Sequence, residues 1–132
     1  MNWLNNPVNS MLEKSLDALW LRNQAINENI ANADTPNYKR KYVEFEDVLK
    51  EQVDNIQSEM KKGTSFTKGK INGMLSEVKP EMKVDETTMR VDGSGVDTDQ
   101  EYTELAKTQL QYHYGTRLMT DAFTRIRSAI KG

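Results

Sequence analysis

The chain lacks cysteine and has one histidine, His113, among its 132 residues. Without cysteine there can be no disulfides, thiolate zinc sites or cysteine nucleophiles. A single histidine also leaves little material for transition-metal sites or for histidine-based acid and base catalysis. We interpret His113 as a residue on the flank of a helix, and we expect no catalytic residue, no metal and no cofactor.

Long apolar runs and an excess of positive charge are also missing. No segment approaches the roughly 18 consecutive apolar residues of a membrane span. Residues 1–10 lack the charged start and apolar middle of a cleaved secretory signal. The 18 basic and 20 acidic residues leave no surplus of cations to follow a phosphate backbone. We therefore expect no nucleic-acid binding and no direct membrane span. If the protein is exported, we expect a route that does not use a cleaved secretory signal.

Hydrophobic residues are sparse as well. They make up 36% of the sequence, against roughly 45 to 50% in ordinary globular proteins on a count that also includes glycine. The mean hydropathy is -0.78. A chain of this length fits one modest domain, or two terminal helices that carry a small insert. We therefore do not expect the chain to form a large hydrophobic core by itself.

The first strong pattern predicts a helix that begins near Pro7. Its apolar positions alternate in steps of four and three, as in a coiled coil, and Pro36 should end the helix near Ala33 or Asp34. Asn23 is the polar member of this seam, and it either fixes register and partner or is a hydrated position. The predicted interface residues here are Leu12, Leu16, Leu19, Asn23, Ile26 and Ile30.

The apolar surface of this first helix is broader than one partner helix would cover. Further apolar positions lie on a second row and beside the main seam. They are Met11, Ala18 and Ala25 on the second row, with Trp20 and Leu21 beside the seam. We expect some of this surface to meet a second neighbour.

The middle of the chain shows weaker patterns. Helical spacing predicts a helix from about Glu44 to Met60, whereas the glycine-containing stretch 61–73 is predicted to be a loop. Beyond it, the alternating pairs Met82 with Val84 and Met89 with Val91 suggest two short strands or an extended crossing. The basic triplet at 39–41 is either a solvated surface or an electrostatic dock for an acidic neighbour.

The last predicted helix runs from Asp97, a capping residue with Gln100 three positions on, to about Lys131. The residues of its seam are spaced alternately by three and four positions along the whole helix. The seam also includes Tyr102 and Thr116. The predicted interface residues are Leu105, Gln109, Tyr112, Gly115, Met119, Phe123, Ile126 and Ile130.

A row of small residues recurs every seven positions on the flank of this last helix. It either lets another helix approach closely or lies on a solvated face. The row consists of Thr108, Gly115, Ala122 and Ala129.

These patterns predict a mainly α fold. Two long terminal helices should pair as a coiled-coil-like hairpin, with a small mixed helical and extended middle segment projecting from one end. The expected divisions are an N-terminal helix of the core domain in 1–36, a middle segment in 37–96, and a C-terminal helix of the core domain in 97–132.

The turn after the first helix also carries a family resemblance. From the residues alone it is an Asn-rich cap and turn, or a dedicated functional element. The sequence from Asn29 to Tyr38 resembles the N-terminal signature of bacterial flagellar rod, hook and axial proteins, in which Asn-Ile-Ala-Asn precedes a small residue and Thr-Pro-Gly-Tyr. Asn37 stands where that signature has glycine, and asparagine tolerates a positive φ. The motif residues are Asn29, Asn32, Thr35, Pro36, Asn37 and Tyr38.

Two further runs, 89–97 and 105–112, are similar to those of the flagellar basal-body rod family. The resemblance implies a structural subunit of the proximal rod, in the cell envelope, exported by the flagellar type III apparatus without a cleaved signal. Its implied partners are other copies of itself, other rod proteins, the base of the rod at the membrane ring, and the export apparatus. The alternative is a soluble coiled-coil adaptor or secretion chaperone of a type III system.

Overall fold

A computed structural model describes residues 6–63, 65, 67–87 and 95–132. The described part of the chain is mainly helical, as the sequence predicts, and it also contains a small antiparallel sheet. The elements in order are α1 (Pro7–Ala31), β1 (Lys41–Glu44), α2 (Glu46–Lys61), α3 (Lys68–Ser76), β2 (Glu81–Val84) and α4 (Thr98–Lys131). Among the described helices, none combines the length and apolarity needed to cross a bilayer.

The first helix begins as predicted but ends earlier. Asn6 is its N-cap, with a side-chain oxygen that accepts a hydrogen bond from the Val8 N–H at 3.1 Å. At the other end, the backbone N–H and the side-chain amide of Asn32 both donate to the Glu28 carbonyl, at 3.1 and 2.8 Å. The helix therefore ends at Ala31, with Asn32 as its C-cap, a few residues before Pro36.

The predicted last helix is confirmed with its cap. The Asp97 side chain accepts hydrogen bonds from the backbone N–H groups of Asp99 at 3.1 Å and Gln100 at 3.4 Å. These bonds satisfy donors that a helix start otherwise leaves unpaired. The helix then continues without a break to Lys131.

The middle segment is more ordered than the sequence suggests. The predicted second helix is confirmed as α2, and the alternating pair Met82 and Val84 lies in β2. That strand pairs with β1, with Val43 opposite Met82. The sequence did not predict β1, and the predicted extended pair Met89 and Val91 lies outside the described residues.

The predicted loop at 61–73 is wrong in its second half, where α3 begins at Lys68. Thr67 is the N-cap, and its side chain accepts a hydrogen bond from the Lys70 N–H at 3.3 Å. Leu75 is fully buried, so packing outweighs the cost of roughly 1 kcal/mol that each glycine imposes on a helix.

The core lies between α1 and the middle segment. Ala18 and Ala25 of α1 form one buried cluster with Val43, Phe45 and Val78. The second apolar row of α1 is therefore covered by the chain's own middle segment, which also contacts α1 through α3 and β2. Small side chains on α1 let these elements approach, so the middle segment packs on the helix and does not project from it.

The other face of α1 contacts α4, and this is the most extensive contact between elements. Asn29 near the end of α1 bonds to Glu101 near the start of α4. Further along, Leu16 lies so close to Gly115 that an added Cβ on Gly115 would be 2.8 Å from Leu16 Cδ2.

Candidate functional site

The segment that follows α1 is a compact turn. The Thr35 N–H donates to the Asn32 carbonyl at 3.0 Å, and the Tyr38 N–H donates to the Thr35 carbonyl at 3.3 Å. Asn37 has a φ of 61°, which confirms the prediction of a left-handed residue. The turn brings Tyr38 back to Asn29, where its hydroxyl forms a hydrogen bond.

Asn29 is the centre of a buried polar network. Its side chain has no exposed surface. Oδ1 accepts from the Tyr38 hydroxyl at 3.1 Å and from the Lys41 N–H at 2.8 Å, while Nδ2 donates to the Lys41 carbonyl at 2.7 Å and to Glu101 Oε2 at 3.1 Å. Burial raises the pKa of the Tyr38 phenol, which favours the protonated, donating form. One amide therefore joins α1, the turn, β1 and α4.

Glu101 supplies the acidic part of the network. Its carboxylate is fully buried in the first turn of α4, where Oε1 accepts from Arg40 Nε and Oε2 accepts from Asn29. A buried carboxylate is strongly unfavourable without partners. Arg40 and Asn29 therefore fix where α4 begins relative to α1.

The basic triplet is used within the chain. Each of its side chains pairs with an acid on a different segment. The pairs are Lys39 with Glu86, Arg40 with Glu101, and Lys41 with Glu28 at 2.6 Å. The triplet thus pairs with acids of its own chain. Lys39 and Glu86 are both exposed, so that pair lies on a solvated surface. A dock for an acidic neighbour stays a prediction.

A second ion pair ties α1 to the middle segment. The Arg22 guanidinium donates to both carboxylate oxygens of Glu46, at 2.7 and 2.6 Å, and to the Val43 carbonyl at 3.2 Å. The hydrogen bond with Arg22 holds the pKa of Glu46 below its ordinary value, and the same bond raises the pKa of Arg22. This ion pair therefore helps to fix the orientation of α2 relative to α1.

The predicted seam of α1 lies mostly against α4. Ile26 is buried, and the other members are half-buried. Those members are Leu12, Leu16, Leu19, Asn23 and Ile30. Their role in contacts with other subunits stays a prediction.

The predicted seam of α4 is only partly covered. Gly115 is buried, whereas several seam residues remain exposed. The half-buried members are Leu105, Met119 and Ile126, and the exposed members are Gln109, Tyr112, Phe123 and Ile130. The fully buried positions of α4 are instead Glu101, Thr108 and Gly115, one every seven residues. Two of these belong to the small-residue row, so close approach to α1 is the correct interpretation for that part of the row.

Large apolar side chains remain uncovered on both terminal helices. Trp20 of α1 is 60% exposed, and α4 carries more of them on several sides. On α4 they are Tyr102, Leu110, Tyr112, Tyr114, Leu118, Phe123 and Ile130. These side chains are available for contact with another surface, where their burial would be favourable.

The open spaces on the surface are clefts beside the helices. One of about 530 Å³ lies between α1, β1 and α4, and another of about 890 Å³ lies between the first half of α1 and the second half of α4.

His113 is exposed. Across the described residues, no group of three or more acids or histidines is arranged to hold a metal ion. The described site consists of hydrogen bonds and ion pairs that position the elements of the chain relative to one another.

The sequence did not predict that Asn29 and Arg40 both bind Glu101. In the sequence, Asn29 belongs to the turn motif and Arg40 to the basic triplet, and neither pattern indicates Glu101 as a partner. The available signal was a carboxylate at the fourth position of α4, on the same heptad row as the buried Thr108 and Gly115.

The described residues form a mainly helical module whose terminal helices carry exposed large apolar side chains. No family model matches the chain. It is 36% identical to the flagellar basal body rod protein FlgB of Borreliella burgdorferi over 121 residues, covering 88% of this chain and 90% of the relative. It is 33% identical to FlgB of Borrelia hermsii over 129 residues (92% and 93%) and 29% identical to FlgB of Bacillus subtilis over 123 residues (92% and 91%).

The chain belongs to the FlgB family of flagellar basal body rod proteins.

Proposed function

We propose that this protein is a structural subunit of the proximal rod of the flagellar basal body, and that it assembles through its terminal helices into the axial tube. The exposed apolar surface of α1 and α4 carries this proposal. Trp20, Phe123 and Ile130 are each more than half exposed, although burying such side chains is worth roughly 1.5 to 3 kcal/mol each. Neighbouring subunits would supply that burial.

The assembling unit in this proposal is an antiparallel, coiled-coil-like hairpin of α1 and α4. Two contacts support the pairing: Asn29 with Glu101, and Leu16 with Gly115. Residues 1–36 and 97–132 would form the axial core domain, and residues 37–96 would form a middle segment anchored to α1. The buried network at Asn29 would set the angle between these parts.

The partners in this proposal are other copies of the chain, other rod proteins and the base of the rod at the membrane ring. The chain would reach the cell envelope through the flagellar type III export apparatus, without a cleaved signal. The names of the relatives support a location in the basal body.

The test is complementation of a strain that lacks the native gene, followed by immunoblotting of purified basal bodies. We expect the wild-type chain to restore motility and to copurify with basal bodies. Phe123→Asp should prevent both, because it places a charge in the proposed subunit interface. Thr124→Asp is the matched control, since Thr124 is an exposed polar neighbour, and it should assemble normally.

The adaptor or chaperone alternative predicts a different result. The purified protein would be a discrete, heat-cooperative dimer by light scattering, and it would be absent from basal bodies. Normal motility of Phe123→Asp, with the protein present in basal bodies, would contradict the assembly role of the exposed face of α4.

A further inference from the structure

The α4 helix carries two apolar surfaces that face away from each other. Leu110, Tyr114 and Leu118 follow one another at intervals of four, which places them in a row on one side. Leu110 and Tyr114 are 71% and 67% exposed. Tyr112 is two positions from each of them, and is therefore roughly 160° away around the helix. One partner surface cannot cover both sides.

A hollow of about 130 Å³ lies on the Tyr112 side, between α1 and α4. Leu19, Trp20 and Asn23 line it from α1, and Thr108 and Tyr112 line it from α4. The Thr108 hydroxyl is buried and has no hydrogen-bond partner in the described part of the chain. Unpaired buried polar atoms are costly, so a suitable occupant of the hollow would offer an apolar body and a polar tip.

The two surfaces differ in charge. Beside Trp20, at helical spacing, lie the exposed acids Glu13 and Asp17. Beside the row at 110, 114 and 118 lie the exposed cations Arg117 and Arg125. Asp121 stands between those two cations. None of these five charged side chains forms an ion pair within the described residues.

From these features we propose that the Leu110, Tyr114 and Leu118 row of one subunit docks into the hollow beside Trp20 of a second copy of this chain. This inference rests on the proposed rod function and names the faces that meet. Arg117 of the first copy would approach Asp17 of the second, and the Tyr114 phenol would supply a ring and a hydroxyl to the hollow at Thr108.

The contact proposed here is heterologous, because it joins two different surfaces. At the two ends of a row, one copy would keep an unused hollow and the other copy an unused row of Leu110, Tyr114 and Leu118. Such contacts generate rings or open helical assemblies, whereas an isologous contact would stop at a dimer. Opposed surfaces on one helix therefore suit a tube wall, in which every subunit has a neighbour on each side.

Cysteine cross-linking tests this arrangement directly, because the chain has no cysteine of its own. Cells that lack the native gene would co-express Asn23→Cys and Leu110→Cys chains with different tags. Their basal bodies would then be treated with a short thiol-specific cross-linker. We expect a cross-linked pair carrying both tags, and little product when either variant is expressed alone. Asn23→Cys with Thr120→Cys is the control, since Thr120 is exposed and, two positions from Leu118, lies roughly 160° away from it around the helix.

The possible outcomes separate this inference from the rod function. Variant chains present in basal bodies without the mixed cross-link would overturn the contact and leave the rod function intact. A cross-link from Asn23→Cys to a different protein would also overturn it. Chains absent from basal bodies that still form the mixed cross-link in cells would support the contact and contradict the rod function.

A charge exchange provides a second test that does not depend on cysteine. Asp17→Arg and Arg117→Asp would each create a like-charge contact, and we expect each to lower recovery with basal bodies by about tenfold. The double variant restores opposite charges in every contact and should recover most of the loss. A double variant as poor as the worse single variant would count against the proposed pairing.

Discussion

Leu16 packs over Gly115 so closely that a Cβ on Gly115 would lie 2.8 Å from Leu16 Cδ2. The two helices approach here because residue 115 has no side chain. Glycine in a helix costs about 1 kcal/mol relative to alanine, so this contact offsets an intrinsic weakness of α4.

Gly115→Leu should therefore destabilise the folded subunit by about 1 to 3 kcal/mol through overpacking. Urea denaturation followed by circular dichroism measures the free energy of unfolding. Gly73→Leu is the control, because Gly73 lies in α3 and a Cβ there would meet no atom within 4 Å. It should gain helix propensity of roughly 1 kcal/mol. Equal effects of the two substitutions would contradict the close approach of α1 and α4.

Asn29→Ala should cost about 2 to 4 kcal/mol, because it leaves several buried polar groups without partners. The groups affected include the Tyr38 hydroxyl and the Lys41 backbone. Asn27→Ala, at an exposed position of the same helix, should change stability by no more than about 0.5 kcal/mol. The comparison uses the same denaturation measurement, and a small effect at Asn29 would mean that water replaces the network.

Arg40→Met should lower the free energy of unfolding more than the double variant Arg40→Met with Glu101→Gln does. The single change leaves a buried carboxylate unpaired, which costs about 3 to 5 kcal/mol, whereas the double change removes both charges. A double-mutant cycle would measure the coupling. Lys39→Met breaks a pair in which both side chains are exposed, and it should cost less than about 1 kcal/mol. Strict additivity of Arg40 and Glu101 would contradict their direct pairing.

Asn37 should tolerate glycine and resist β-branched residues. Its φ of 61° lies in the left-handed region, which costs most L-residues roughly 1 to 2 kcal/mol. Asn37→Gly should be neutral or stabilising, whereas Asn37→Val should destabilise by about 1 to 2 kcal/mol. Thermal unfolding of the two variants provides the comparison, and a harmless valine would show that the turn adopts another conformation.

The ion pair of Arg22 and Glu46 should make the free energy of unfolding depend on pH in the acidic range. Because hydrogen bonding to Arg22 holds the folded pKa of Glu46 below its ordinary 4.5, the pair stabilises the protein above pH 4.5. That contribution is lost as the pH falls through the folded pKa. Glu46 is 62% exposed, so the gain at pH 7 should be no more than about 1 kcal/mol.

Unfolding curves of wild type and Glu46→Gln at pH 7 and pH 3 would test this. The difference in the free energy of unfolding should be smaller at pH 3 than at pH 7. A difference that grows in acid would have the wrong sign for a lowered glutamate pKa.

The parts of the fold that depend on local pattern were predictable. The spacing around Val48, Leu49 and Ile56 predicts α2, and Asp97 identifies the start of α4. Such signals depend only on neighbours in sequence. The short strand β1 gave no clear alternation over four residues, and α3 was obscured by its glycines.

The orientation of α4 could not be predicted from its apolar seam. Periodicity favours Tyr112 and Phe123 as buried residues, yet the buried row starts at Glu101. A carboxylate occupies that position because Arg40 and Asn29 neutralise and bind it. These partners lie 61 and 72 residues away in sequence, and no local pattern carries that information.

The 72 residues that separate Asn29 from Glu101 in the sequence also affect the order in which parts of the fold can form. A channel that delivers the chain amino end first would release α1, the turn and Arg40 long before Glu101 emerges. Until then the Asn29 amide lacks its partner on α4, and α1 has no long helix to lie against. Closing a gap of 72 residues must also wait for the intervening chain. In a chain that emerges amino end first, the network of Asn29 and Glu101 therefore forms only after α4 has begun to emerge, and the pairing of α1 with α4 comes last.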